Sequence, residues 1–246
     1  MSVIYILWLR EVKKYLRSKA QIVASLGTPL MYLAVLGFGL GPVFRRAGEG
    51  SYLQFMAPGV IGMTVLFTAM FSGIAMLWDR QFGFLKETLV APVPRVQIMI
   101  GRTLGGATVA VLQGTIIFAV TLVAGFRPAS VLAVLVAFLV IALIAVVFSA
   151  LATGSSLKEM QGFQMVMNFL VMPLWFLSGA LYPLQGLPAV LAVLTRVDPL
   201  TYGIDGVRGT MIGASHFGVA LDVGVLLCVG VLFVTAGAWR FSKIEV

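Results

Sequence analysis

The chain alternates long apolar runs with short polar islands, and the runs outlast what a strand or an ordinary surface helix requires. Six of them follow one another: Ile22–Val43, Met56–Leu77, Thr103–Phe126, Val131–Leu157, Met165–Leu184 and Phe217–Trp239. Each is long enough for the ~20 residues that a helix needs to cross a bilayer. The third and fourth are separated by little more than Arg127-Pro128-Ala129-Ser130, a tight turn. Residues 3–19 read differently. Tyr5, Trp8, Val12, Tyr15 and Leu16 recur at helical spacing on one face, and Arg10, Lys13, Lys14 and Arg17 line the opposite one. That pattern predicts a helix lying in the membrane interface rather than across it.

Composition sharpens this reading. Hydrophobic residues make up 60% of the 246 residues and charged ones only 11%, too little charge to cover the surface of a soluble domain of this length. The net charge of +8 does not point to nucleic acid, because the basic residues cluster at the edges of apolar runs, where lipid headgroups lie. With the N-terminal helix on the cytoplasmic side, the inner segments hold twelve Lys and Arg and the outer ones five. Both ends of the chain are therefore expected in the cytoplasm. The lone Cys228 offers no disulfide, and residues 1–20 lack the pattern of a cleavable signal peptide.

Two connections are more than linkers. Residues 79–102 carry Pro92 and Pro94 between amphipathic stretches, which predicts a short helix, a break and a lead into the third span. Residues 185–216 carry Leu187–Leu194, an apolar run too short to cross, then Asp198-Pro199 and a mixed segment through Met211. Two short helices dipping into the outer leaflet are expected there. The predicted fold is thus an all-α integral membrane domain over 1–246, with an interfacial helix at 3–19, a cytoplasmic loop at 79–102 and a re-entrant hairpin at 185–216.

Candidate chemistry is sparse. No G-x-x-x-x-G-K-[ST] run is present to cradle nucleotide phosphates. Gly101-Arg102-Thr103-Leu104-Gly105-Gly106 opens a membrane helix, and its Gly101-x-x-x-Gly105 spacing reads as close helix packing. A Ser–His hydrolase would have to use Ser178 and His216, the only histidine, yet Phe176 stands where the first glycine of a nucleophile motif would be. One His and one Cys far apart give no metal site. Gln113 and Asn168 are the main mid-span polar groups, with Asp222 near the start of the last span. A carrier coupled to ions or protons would need more buried charge than this. Phe67, Met70, Phe71, Asn168, Met172, Trp175 and Phe176 are candidates to line a path for an apolar cargo, with helix packing as the plainer alternative.

The loop Arg80-Gln81-Phe82-Gly83-Phe84-Leu85-Lys86-Glu87-Thr88-Leu89-Val90-Ala91-Pro92-Val93-Pro94-Arg95 resembles the first inner loop of ABC-2 transporter permeases, in which Gly83, Leu89, Pro92, Arg95 and Gly101 match the family pattern. Pro173, Ser178-Gly179, Tyr182-Pro183, Pro188, Asp198-Pro199-Leu200-Thr201-Tyr202 and Asp205-x-x-Arg208 resemble the family's fifth span and outer helices, with Asp198 standing where Asn is usual. The resemblance implies a half-transporter: two permease copies, or one and a paralogue, with two separately encoded ATPase subunits that bind ATP and Mg, while this chain binds no cofactor itself. It implies that a coupling helix at about Trp78–Leu89, with Asp79, Arg80, Gly83, Lys86, Glu87, Pro92 and Arg95 as coupling residues, docks on the ATPase. The basic helix would bear on the same subunit, and Pro199, Tyr202, Asp205 and Arg208 would belong to the outer hairpin. The implied activity is export of a hydrophobic or amphipathic cargo such as a drug, lipid or polysaccharide.

Overall fold

The structure, a computed structural model, describes residues 2–46, 51–81, 93–155 and 159–242. Every regular element among them is a helix. In chain order they are α1 Val3–Arg17, α2 Lys19–Arg46, α3 Tyr52–Gln81, α4 Arg95–Val123, α5 Val131–Gly154, α6 Met160–Leu177, α7 Ala189–Val197, α8 Pro199–Ile212 and α9 Val219–Ser242. Six of these, α2 to α6 and α9, are long and apolar enough to cross a membrane.

Local sequence explains the boundaries. Ser130 caps α5 by accepting from Ala133 N at 3.1 Å, a role that Ser fills because its short hydroxyl reaches an unpaired first-turn N–H. Asp198 caps α8 in the same way, accepting from Leu200 N at 2.8 Å, and Pro199 follows at the first helical position, where its missing N–H costs nothing. Gly213 closes α8 with φ +73°, the left-handed conformation glycine adopts without strain. Helix α6 is not uniform: Met167–Val171 forms a π-turn immediately before Met172-Pro173. Pro173 has no N–H to give the preceding turn, so the wider turn falls where the regular ladder is already broken. The expected fifth span thus begins and ends earlier than its apolar run, and 178–188 is an irregular turn.

The core lies among α3, α4, α5 and α8. Met56, Ile61, Leu66, Ile117, Ile141, Ile144, Phe148 and Ile204 are sealed within it. Inside lipid, packing and hydrogen bonds rather than water exclusion hold helices together, so close backbone approach is decisive. Helices α3 and α5 flank α8 closely, with Gly62 against Ile204 and Gly203 against Ile144. Farther along α8, Gly206 meets Val140, and Ala129 N bonds the carbonyl of Met211. As residue numbers rise along α8 they fall along α5, so α8 runs antiparallel to it. Gly203 lies beside Ile144, thirteen residues into α5 or roughly 20 Å along it at 1.5 Å per residue. The α7–α8 hairpin consequently carries its tip, Asp198, deep into the bundle, where it is 1% exposed. Helix α7 keeps Val190, Val193 and Val197 on the outside.

Candidate functional site

Two polar assemblies interrupt the apolar bundle, one at each end. The first is built around α1. Ile4 and Leu7 lie over Gly101, Trp8 and Glu11 over Gly105, and Trp8 Nε1 donates to Thr108 Oγ1 at 2.9 Å. Farther along, the Tyr15 hydroxyl donates to Oε1 of the fully buried Gln113. Both numbers rise together, so α1 runs beside the first half of α4 in the same direction. The two glycines give the close approach that the Gly101-x-x-x-Gly105 spacing suggested.

This arrangement changes how the helix at 3–19 is read. Its apolar residues divide between two faces. Leu7, Trp8 and Tyr15 pack on α4, while Tyr5, Ile6 and Leu16 are exposed. Arg10, Lys13, Lys14 and Arg17 line an open cleft with Ser18. A helix with one side on protein, one apolar side free and one basic side suits the boundary between lipid and water.

At the same end, Asp79 in the last turns of α3 accepts through Oδ2 from Arg10 Nη2 at 2.5 Å and from Arg102 Nη2 at 2.6 Å. Asp79, one of the coupling residues that the resemblance implies, has its carboxylate engaged inside the chain. The local signal for Arg102 is an arginine at the head of an apolar run, between the packing glycines Gly101 and Gly105. Arg80 sits on the helical backbone of α3's last turn. Arg95 opens α4 and donates to the Ser242 carbonyl at 3.3 Å, tying α4 to α9. Gly83, Lys86, Glu87 and Pro92, which carry most of the expected coupling helix, lie outside the described residues.

The second assembly belongs to α8. Asp205, 2% exposed, accepts from His216 N at 2.8 Å, Phe217 N at 2.8 Å and Ser215 Oγ at 3.1 Å, so one carboxylate organises the turn into α9. Arg208, 4% exposed, donates through Nη2 to the Gly179 carbonyl at 3.0 Å and the Phe55 carbonyl at 3.4 Å, with its guanidinium 4.1 Å from the centre of the Phe55 ring. Burial lowers its pKa to about 10 against the opposing field of Asp205, so it stays cationic at neutral pH. Asp198 accepts from Leu200 N at 2.8 Å and from Thr201 Oγ1 at 3.1 Å. The Tyr202 hydroxyl donates to the Arg196 carbonyl at 2.8 Å and clamps α7 to α8.

The path candidates fall into two groups. Met70 and Trp175 are buried, and Trp175 packs against Tyr32, Phe67 and Phe176. Phe71, Asn168, Met172 and Phe176 are exposed, with Phe67 half-buried between the groups. Gln161 and Gln164 are exposed as well and share a helical face with Asn168. The i, i+3, i+7 spacing of these three carboxamides is the local signal for Gln161 and Gln164 beside Asn168. The nucleophile candidate is otherwise engaged. Ser178 is buried and its hydroxyl donates to the Trp175 carbonyl at 2.6 Å, while the His216 ring lies edge-on to Phe217.

Asp222 is fully buried, beside Gly206, and neither carboxylate oxygen has a hydrogen-bond partner among the described residues. Asp222→Asn keeps the shape and removes the chance of an unpaired buried charge. Unchanged or higher thermal stability of the solubilised protein, by about 1 kcal/mol at most, together with intact transport is the expected outcome. Loss of transport with folding intact would favour an ion-coupled carrier instead.

The profile of the ABC-2 type transporter family matches residues 2–212, which takes in the α1 assembly and all of α8, with Asp205 and Arg208. The chain belongs to the ABC-2 type transporter family. Among its relatives, Nodulation protein J of Rhizobium meliloti (strain 1021) is 31% identical over 217 residues, covering 87% of this chain and 82% of the relative. The Inner membrane transport permease YadH of Escherichia coli (strain K12) is 29% identical over 231 residues, covering 92% and 90%. The Putative transport permease ycf38 of Porphyra purpurea is 30% identical over 197 residues, covering 78% and 68%. This ABC-2 protein is therefore a membrane subunit of an ABC transporter, a multi-pass inner-membrane permease.

Proposed function

We propose that this ABC-2 subunit is half of an ATP-driven exporter, working as two copies, or one copy and a paralogue, with a separately encoded ATPase that holds the ATP and Mg. Its cargo is hydrophobic or amphipathic, of the drug, lipid or glycolipid class. The N-terminal helix, segment 79–102 and the end of α9 face the cytoplasm, in keeping with twelve basic residues on that side against five. The α7–α8 hairpin is then a re-entrant element of the outer leaflet. ATP binding closes the ATPase dimer, segment 79–102 carries that motion to α3 and α4, and the interface between permease copies rearranges.

One observation carries the paired arrangement. Gln161, Gln164 and Asn168 are exposed along one side of α6, next to exposed Phe169, Met172 and Phe176. A carboxamide within the apolar run, as Asn168 is, is costly when it faces hydrocarbon without a partner. A second copy and a cargo path between the two give the carboxamides partners or water, while the aromatic and Met side chains accept the apolar part of the cargo. Copies carrying Asn168→Cys in a Cys228→Ser background should crosslink as dimers in native membranes, and ATP with vanadate should change the yield. The same cysteine at Leu227, on the outside of α9, should give monomers only. Monomers from both variants, with the protein folded, would contradict pairing of two copies of this chain through α6.

A further inference from the structure

Asp79 joins three elements through one oxygen atom. Its Oδ2 receives Arg10 from α1 and Arg102 from α4. The side chain of Arg102 is 3% exposed, that of Asp79 13% and that of Arg10 41%, so the cluster grades from buried to open. Glu11 lies 3.8 Å from Arg10 and completes a set of two arginines and two acids whose charges cancel. A guanidinium as buried as Arg102 survives among apolar helices only with its charge compensated. Charge-assisted bonds of this length also fix direction, which apolar packing does not.

The cluster's place in the chain gives that stiffness a use. Asp79 is two residues from the end of α3, and Arg102 is two turns into α4. These helices are the two roots of segment 82–92. Helix α1, bonded to α4 as far as Gln113, is the third member.

We infer that Arg10, Asp79 and Arg102 form an ionic strut that makes the two roots of segment 82–92 and helix α1 move as one body. They are positioning residues for energy transmission, not contacts to the ATPase. The strut rests on the proposed pairing with an ATPase. Without it, motion of the segment would bend α3 and α4 separately at their ends and fade before reaching the far side of the bundle.

The test uses the purified permease–ATPase complex and hydrogen–deuterium exchange at the far turns, residues 125–130 and 213–218, with and without ATP and vanadate, so no cargo need be known. Asp79→Ala alone would strand Arg102, so the informative variant is Asp79→Leu with Arg102→Met, which removes both buried charges and keeps their volume. This variant should fold, bind the ATPase and hydrolyse ATP, while the nucleotide-dependent exchange change at the far turns falls about tenfold, the size of a typical coupling between sites. Arg10→Cys with Asp79→Cys, made with Arg102→Met and Cys228→Ser and bridged by a short bismaleimide, should restore the response. An undiminished response in the Leu/Met variant, or a bridged form that stays silent, overturns the strut. If the unmodified permease fails to bind an ATPase, or binds it with no nucleotide response, the pairing itself is wrong and the strut falls with it.

Discussion

Gly59→Val should be the most damaging single substitution at the α8 end of the bundle, around Arg208. A Cβ on Gly59 would sit 2.4 Å from the carbonyl oxygen of Ala180 and 2.9 Å from its carbonyl carbon. Those atoms are backbone, and Ala180 belongs to the turn whose Gly179 carbonyl receives Arg208. No side chain can swing aside. Helix α3 must part from the 178–184 turn, and Arg208 then loses its acceptors on both sides. Overpacking of this kind costs about 3 kcal/mol, and here it also unseats a buried cation. The expected result is a large fall in the melting temperature of the detergent-solubilised protein, followed by fluorescence size exclusion. Gly27→Val, where an added Cβ meets nothing within 4 Å among the described residues, should leave it nearly unchanged. Equal melting of the two variants would show that the α3–turn contact does not hold the fold.

Asp205→Ala is the second large effect, and its cause is electrostatic rather than steric. The substitution removes the acceptor of His216 N, Phe217 N and Ser215 Oγ at once. Each buried donor left unpaired costs about 1–3 kcal/mol, and partial access to water recovers some of that. The sum should be about 2–4 kcal/mol. The damage should concentrate on the 213–218 turn, where hydrogen exchange should rise well before the whole protein loosens. Asp205→Asn retains one acceptor oxygen and should recover part of the loss. If Ala and Asn behave alike, the turn is held by packing, as between Tyr202 and Phe217 (ring centres 5.0 Å apart), and the carboxylate is incidental.

Much of the fold could be read from the chain because the bilayer imposes a strict length and polarity on each span. The charge-free Val131–Gly154 helix, with Ser130 as its cap and Arg127-Pro128 before it, left little choice. The Asp198-Pro199 start of α8 was readable for the same reason, since both residues suit the first turn of a helix and little else. Less was readable where the partner comes from elsewhere in the chain. Nothing local to Asp79 reveals that Arg10, sixty-nine residues earlier, and Arg102, twenty-three residues later, converge on one of its oxygens. The amphipathic wheel of residues 3–19 showed two faces, but only docking on α4 separates the apolar side into a packed part with Leu7 and Tyr15 and an open part with Tyr5 and Leu16. Met70 and Trp175 read as possible path lining because an aromatic or Met side chain in a span looks the same whether it faces a cargo or a neighbouring helix. The π-turn at Met167–Val171 has only Pro173 as its local trace.

The two ends of the molecule divide the labour. Gly59, Asp205 and Arg208 fix α8 and the turns beside it, and α1, Asp79 and Arg102 bind the roots of the loop that would face an ATPase. The claim on which this division depends is that the α1 end engages a nucleotide-hydrolysing subunit. Affinity purification of the tagged permease from its own membranes, with ATP hydrolysis measured in the eluate, tests it directly. The expected result is a co-purifying ATPase whose recovery collapses when Glu87→Lys and Arg95→Glu reverse the loop charges but survives Asp222→Asn. A permease that elutes without ATPase activity, or whose ATPase is recovered equally with the loop charges reversed, would contradict the account.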